Sequence, residues 1–124
     1  MEQERSILPV EKLHPAIREK VASNHRDIVS EVQNAVSQND VVVVGMGQNP
    51  VVKKARALLK QHGVAFHYLE YGNYLNTWRR RNALKMWTGW PTFPMIFVRG
   101  VLVGGHAELT RLIESGEFKT MTAS

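Results

Sequence analysis

The stretch VVVVGMGQNPVVKKARALLK, residues 41–60, passes from a β-branched run through a glycine-bearing turn directly into a helical pattern. Four consecutive valines, 41–44, suit a strand buried on both faces of a sheet. Beyond the turn, Val52, Ala55, Leu58 and Leu59 share one helical face, while Lys53, Lys54, Arg56 and Lys60 lie off it. His62-Gly63 ends the helix, glycine being the usual left-handed stop residue. Open α/β sheets commonly do their chemistry at such a junction, outside the carboxyl end of a strand. Here the turn offers Gln48, Asn49 and Pro50, with no thiol, hydroxyl, carboxylate or imidazole among them. Asn49 reads first as a helix cap, because an asparagine oxygen accepts N–H bonds from the first turn. Pro50 then stands at the first helical position, where its missing N–H costs nothing. Removal of such a cap costs about 1 kcal/mol.

Working outward, residues 65–69 form a second short strand, so strand, helix and strand make a right-handed βαβ unit with parallel strands. Upstream, Ile28, Val32, Ala35 and Val36 mark one face of a helix over 24–37, closed by Asn39-Asp40. Pro9 and Pro15 leave an extended arm before it, with one short helix at 15–21. Downstream, 75–86 reads as a less periodic helix anchored by Trp78 and Trp87. Apolar runs at 95–98 and 101–103 flank Arg99-Gly100 as an antiparallel hairpin. Gly104-Gly105 ends it, and Leu109, Leu112 and Ile113 mark a final helix stopped by Gly116. The organisation is thus an arm (1–23), one α/β domain (24–119) and a tail (120–124), with no internal repeat.

Composition narrows the chemistry. A chain of 124 residues, 44% hydrophobic and 22% charged, has the profile of one packed globular domain. It contains no cysteine, which excludes disulfides, thiolate nucleophiles, Cys-ligated zinc and protein-ligated iron–sulfur clusters. A net charge of +5 points to anionic ligands or partners. Nucleic acid would be supported by that charge alone and is not expected. No apolar run reaches the ~20 residues of a membrane span, and the opening MEQERSILPVEK lacks the apolar stretch of a secretory signal, so the expected location is the cytoplasm.

Other constellations are weak. His106 has no second ligand at metal spacing, and His14, His25, His62 and His67 are scattered. GMGQNP lacks the third glycine and the Lys-Ser/Thr ending of phosphate loops. Tyr71, Tyr74, Trp78, Trp87 and Trp90 accompany a basic helix, a mixture that suits either core packing or stacking on a partner.

The element order, with Trp90-Pro91-Thr92-Phe93-Pro94 before the hairpin and Gly104-Gly105 after it, resembles the glutaredoxins of the thioredoxin-fold superfamily. The resemblance covers residues 25–118. The run from WPTFP through MIFVRGVLVGG to ESGEF is similar to the monothiol, iron–sulfur-associated members. It implies a four-stranded mixed sheet flanked by helices, here with an extra N-terminal arm, and a cis proline at Pro94. It also sets Asn49-Pro50-Val51-Val52 at the family's active-site motif, with Asn49 in the seat of the nucleophilic cysteine. A carboxamide has no ionisable sulfur and forms no mixed disulfide, so the family's thiol–disulfide exchange is excluded as an intrinsic activity.

The resemblance implies a groove for glutathione at the Thr92-Phe93-Pro94 element, with Phe93 pairing its backbone and Arg81 and Lys85 facing its glycine carboxylate. For the Arg79–Arg81 run, a solvated helix face is the competing reading. Gly104 and Gly105, with His106 or Glu108, would meet the γ-glutamyl end. There Ala107 stands where the family commonly has an aspartate or hydroxyl, and Met46 stands where it has a lysine. Half of the polar clamp is missing, so any glutathione binding should be weak. Three functions remain open: a redox-silent domain binding glutathione or an anionic thiol peptide, a protein-docking adaptor, and a residual role in a glutathione-linked redox or iron–sulfur system. No metal site is expected, and oligomeric state is not legible.

Overall fold

The computed structural model describes residues 5–23, 25–72 and 78–123, without the side chains of 78 and 79. The valine run forms β1 (Val41–Gly45), which pairs parallel with β2 (His67–Glu70) and antiparallel with β3 (Met95–Val98). A hairpin adds β4 (Val101–Gly104), giving the strand order β2-β1-β3-β4. Parallel pairing requires a crossover, supplied by α3 (Pro50–Gln61). The hairpin turns on Arg99 and Gly100 at φ 51° and 85°, the pair of positive angles that a two-residue connection favours.

Alternation along β1 explains why it is apolar throughout. Val42 and Val44 pack with Ile28 and Val32 of α2 (Arg26–Gln38) and Leu84 of α4 (Trp78–Thr88). Val41 and Val43 face the other way, against Ala55 and Leu59 of α3 and Leu109 of α5 (His106–Ser115). In β3, Met95 and Phe97 join the first layer, and Ile96 and Val98 the second. The described part of the arm carries a 3-10 turn at Val10–Lys12 and then α1 (Pro15–Ser23), neither of which buries a residue. It is tied to the domain through Arg5, whose Nη2 donates to the Trp87 carbonyl at 3.0 Å.

Several element limits differ from the sequence pattern. Strand β2 begins at His67 rather than 65, because residues before it complete the α3 exit, where the Val64 N–H bonds the Leu59 carbonyl. Helix α2 runs to Gln38 and starts at Arg26, with Asn24 outside the described residues. Helix α4 continues to Thr88, where Gly89 at φ 78° ends it and donates to the Lys85 carbonyl. The expected start of that helix at 75, and Tyr74, lie outside the described residues, as do the side chains of Trp78 and Arg79.

The largest difference is at the end. Gly116 stops α5 in the left-handed conformation, but the chain immediately enters a further helix, α6 (Glu117–Thr122). Residues 120–122, read as tail from the sequence, are therefore helical. Phe118 is buried against the α3/α5 layer, with Met121 packed beside it. If α6 is part of the core, Phe118→Ala should cost about 3 kcal/mol in urea unfolding, as large-to-small core changes do. The neighbouring exposed Lys119→Ala should cost about 0.5 kcal/mol or less.

Candidate functional site

The carboxyl end of β1, the start of β3 and the end of β4 lie together, because Val44 pairs with Met95 and Ile96 with Gly104. Every site position expected from the sequence falls on or next to this end of the sheet, apart from the α4 pair described below. The turn leaving β1 is tightly held. A Cβ on Gly45 would stand 2.5 Å from Val52 Cγ1, and one on Gly47 would stand 2.8 Å from the Gly72 carbonyl oxygen. That carbonyl accepts the Gly47 N–H at 2.6 Å, and the Gly45 carbonyl accepts the Tyr71 N–H at 2.9 Å. Gln48 then takes a left-handed φ of 64° and delivers the chain to α3.

Asn49 caps α3. Its Oδ1 accepts the N–H groups of Val51 at 2.9 Å and Val52 at 3.1 Å. Pro50 has no N–H, and the Lys53 N–H already bonds the Asn49 carbonyl. The first-turn donors that would otherwise attract an anion to a helix N-terminus are all engaged by the cap itself.

The proline turn is built on a cis Phe93–Pro94 bond. Phe93 and Pro94 are buried, whereas Thr92 is exposed. The Pro94 carbonyl oxygen lies 3.4 Å from where a Cβ of Gly105 would stand, so the proline turn and the double glycine are in direct apposition. Gly104 sits at φ 116°, and a Cβ there would press on the Glu108 side chain at 2.8 Å. His106 is the first residue of α5 and is half-buried.

On α4 the two basic candidates part company. Lys85 reaches toward the turn, its Nζ 5.7 Å from the centre of the Phe93 ring. Arg81 turns instead into the protein: it is only 6% exposed and donates from Nη1 to the Tyr71 carbonyl at 3.2 Å. Burial pushes its guanidinium pKa down. The solvated-face reading of the arginine run is corrected at Arg81 by this burial. Arg80 also has a fixed partner, Asp27 of α2, at 2.8 Å.

Two contacts of residues named from the sequence were not read from it. Glu108 Oε1 accepts the Gly105 N–H at 2.9 Å, and this bond and one from its own backbone N–H hold its carboxyl below the usual range. The Gly-x-x-Glu spacing of a capping box was the available signal. Tyr71 donates to Glu31 on α2, and its hydroxyl pKa is raised by burial and by that bond. No spacing rule connects residues so far apart. Among the described residues no group of His, Asp and Glu could hold a metal ion. A thiolate-held iron–sulfur cluster does not fit this donor set, since the chain has no cysteine.

Comparison with known proteins agrees with this geometry. The glutaredoxin family model matches residues 41–103, from the first valine of β1 to the last but one residue of β4. The chain belongs to the glutaredoxin family. It is 45% identical over 92 residues to a glutaredoxin-like protein of Dictyostelium discoideum, covering 74% of this chain and 75% of that one. A probable monothiol glutaredoxin 2 of Rickettsia prowazekii is 34% identical over 95 residues, covering 73% and 86%. Among solved structures, a buckwheat glutaredoxin–glutathione complex superposes with a TM-score of 0.70 at 22% identity, covering 80% of this chain and 90% of that one. This glutaredoxin therefore has the thioredoxin-like fold, a four-stranded mixed sheet flanked by helices, and no catalytic thiol.

The Glu108 bond has a pH signature. Its native pKa is depressed, so its contribution to stability is present above the unfolded carboxyl pKa and is lost as pH falls through the native one. Glu108→Gln should therefore be less stable than the parent at neutral pH, with the two unfolding free energies converging in acid. A gap that stays constant from neutral to acid pH would show that the carboxylate makes no such bond in solution.

Proposed function

We propose that this glutaredoxin is a binding domain without redox chemistry of its own, which holds glutathione or a similar anionic thiol peptide at the end of the sheet. The observation that carries the reading is the double acceptance by Asn49 Oδ1 at the head of α3. A nucleophilic thiolate in that seat would need the same two N–H groups to lower its pKa. The carboxamide occupies them with a neutral oxygen that does not attack sulfur.

The remaining elements support a ligand laid along the turn. The Phe93 backbone would pair with an extended peptide, Lys85 would approach its carboxylate, and Gly104, Gly105 and His106 would border its other end. Thr92 stands on the exposed lip and Pro94 on the buried side. Arg81 would act from beneath as a buried positive charge rather than as a direct clamp. The buckwheat protein's glutathione complex supports glutathione as the first ligand to try. The same reading takes residues 24–119 together with the rest of α6 as the binding unit, the arm 1–23 as an appendage, and the cytoplasm as its location.

A second reading, docking of a protein at this surface, is favoured by Glu108. Its carboxylate already takes the Gly105 N–H and places negative charge where a small anionic ligand would need a donor.

Heteronuclear NMR with reduced glutathione separates the two. Low-millimolar ligand should shift Lys85, Phe93 and Gly104 to His106 and little else, while an unchanged spectrum at much higher concentration would favour the docking reading. In parallel, Asn49→Cys should yield a thiol with a pKa below the ~8.5 of free cysteine and a measurable glutathione-dependent reductase activity. A thiol titrating like free cysteine would place residue 49 away from the helix donors.

A further inference from the structure

Large apolar side chains left in water converge on one concavity beneath the arm. Ile7 of the arm is 65% exposed, Val21 of α1 50% and Met86 of α4 67%. All three line the same cavity, of about 510 Å³, which is the size of a small-molecule site. Apolar residues scattered singly over a surface need no explanation, whereas a cluster of them around one concavity marks a place where something binds.

The concavity is a channel with three sides. One wall is α2, which contributes Arg26, Val29 and Gln33 at steps of three and four, a single helical face. The other wall is α4, with Ala83, Met86 and Trp87 on one face. The arm forms the roof because it is fixed at both ends. Arg5 donates to the Trp87 carbonyl and fills the space beside Gly89, and α1 leads into the start of α2. The Arg80–Asp27 bridge sets the starts of α4 and α2 side by side. Arg26 therefore stands at one end of the channel and Gln33 and Trp87 at the other, about 10 Å further on at the helical rise.

Charge is confined to one end. Arg26 is the only charged residue among the described ones that line the channel. It is exposed and makes no salt bridge among the described residues, while the neighbouring carboxylate, Asp27, is already held by Arg80 at 2.8 Å. A cation without a partner at the mouth of an apolar channel complements a molecule with one anionic end and a narrow apolar body. We propose that the channel is a binding site for a medium-chain fatty carboxylate, with its carboxylate on Arg26 and its chain running beneath the arm to Trp87. A helix from a partner protein, about 10 Å across, needs an open face, and the arm roofs this one. The channel and the Asn49–Pro94 end of the sheet share the element α4 but no residue, and the arm and α2 lie outside the family match at residues 41–103.

A heteronuclear NMR titration of the full chain with sodium decanoate, kept below its micelle concentration, tests this. Saturable shifts should appear at Val21, Arg26, Val29, Gln33 and the Trp87 indole N–H, and be absent from Phe93 and from Gly104 to His106. Decanol, with the same chain and no charge, should bind about tenfold more weakly, the worth of one charge-assisted contact, and acetate should not bind. Arg26→Gln should weaken decanoate about tenfold and leave decanol unchanged. Met86→Glu, at an exposed position, should abolish decanoate binding and leave thermal unfolding unchanged. The absence of saturable shifts, or shifts at the proline turn in place of the channel, would overturn the proposal. So would capture of the protein by phosphatidylglycerol vesicles without binding of monomeric decanoate, which would make the groove a membrane-facing surface. Equal losses of decanoate and decanol on Arg26→Gln would overturn the assigned carboxylate contact.

Discussion

Strand β1 has no side that faces water, and the arrangement of the whole molecule follows from that constraint. Its even-numbered valines pack toward α2 and α4, its odd-numbered valines toward α3 and α5, and its backbone is paired on both edges. Burial of a valine side chain is worth about 1.5 kcal/mol or more, so four in succession strongly favour this central position. A one-residue slip in register would exchange the two layers and lose the fit of both. Because β1 is fixed so firmly, the turn that leaves it has little freedom. The close approach of Gly45 to Val52 and of Gly47 to the Gly72 carbonyl holds the chain where Asn49 must begin α3.

Electrostatics at that end of the sheet differ from what a thiol-bearing relative would require. Two helices begin there, and side chains of the protein itself accept N–H bonds at the head of each. Asn49 satisfies the head of α3 with a neutral oxygen, while Glu108 satisfies the Gly105 N–H with a charged one. Lys85 provides positive charge over Phe93, and Arg81 provides it from a buried position. The surface is thus polarised, with cationic and anionic ends on either side of the proline turn. Such a surface selects ligands by the placement of their charges more than by any bond it forms with them.

Most of the fold was legible because its signals are local. The run at 41–44, the spacing of Val52, Ala55 and Leu59, and the Arg99-Gly100 turn each carry their periodicity or backbone preference within a few residues. Asn49 was legible as a cap for the same reason, since donor and acceptor lie two and three residues apart. Helix α6 was not, because six residues contain too little periodicity to separate a helix from a tail. What holds it is Phe118 entering a core assembled from α3, α5 and the sheet. Arg80 and Arg81 are chemically alike in the sequence, and only the rotation of α4 about its axis decides that Arg81 turns inward while Arg80 meets Asp27 at the surface.

What the sequence determined by itself is the chemistry that the chain lacks and the order of its elements. An absent cysteine is absent in every conformation, and strand and helix periods are properties of neighbouring residues. Tertiary structure decided which backbone donors remain available and which charges are buried. Tyr71 meets Glu31, Arg81 meets the Tyr71 carbonyl and Pro94 meets Gly105 only after distant segments have packed. The physical reason is that desolvation and hydrogen bonding act over a few ångströms in space, and distance along the chain does not report them.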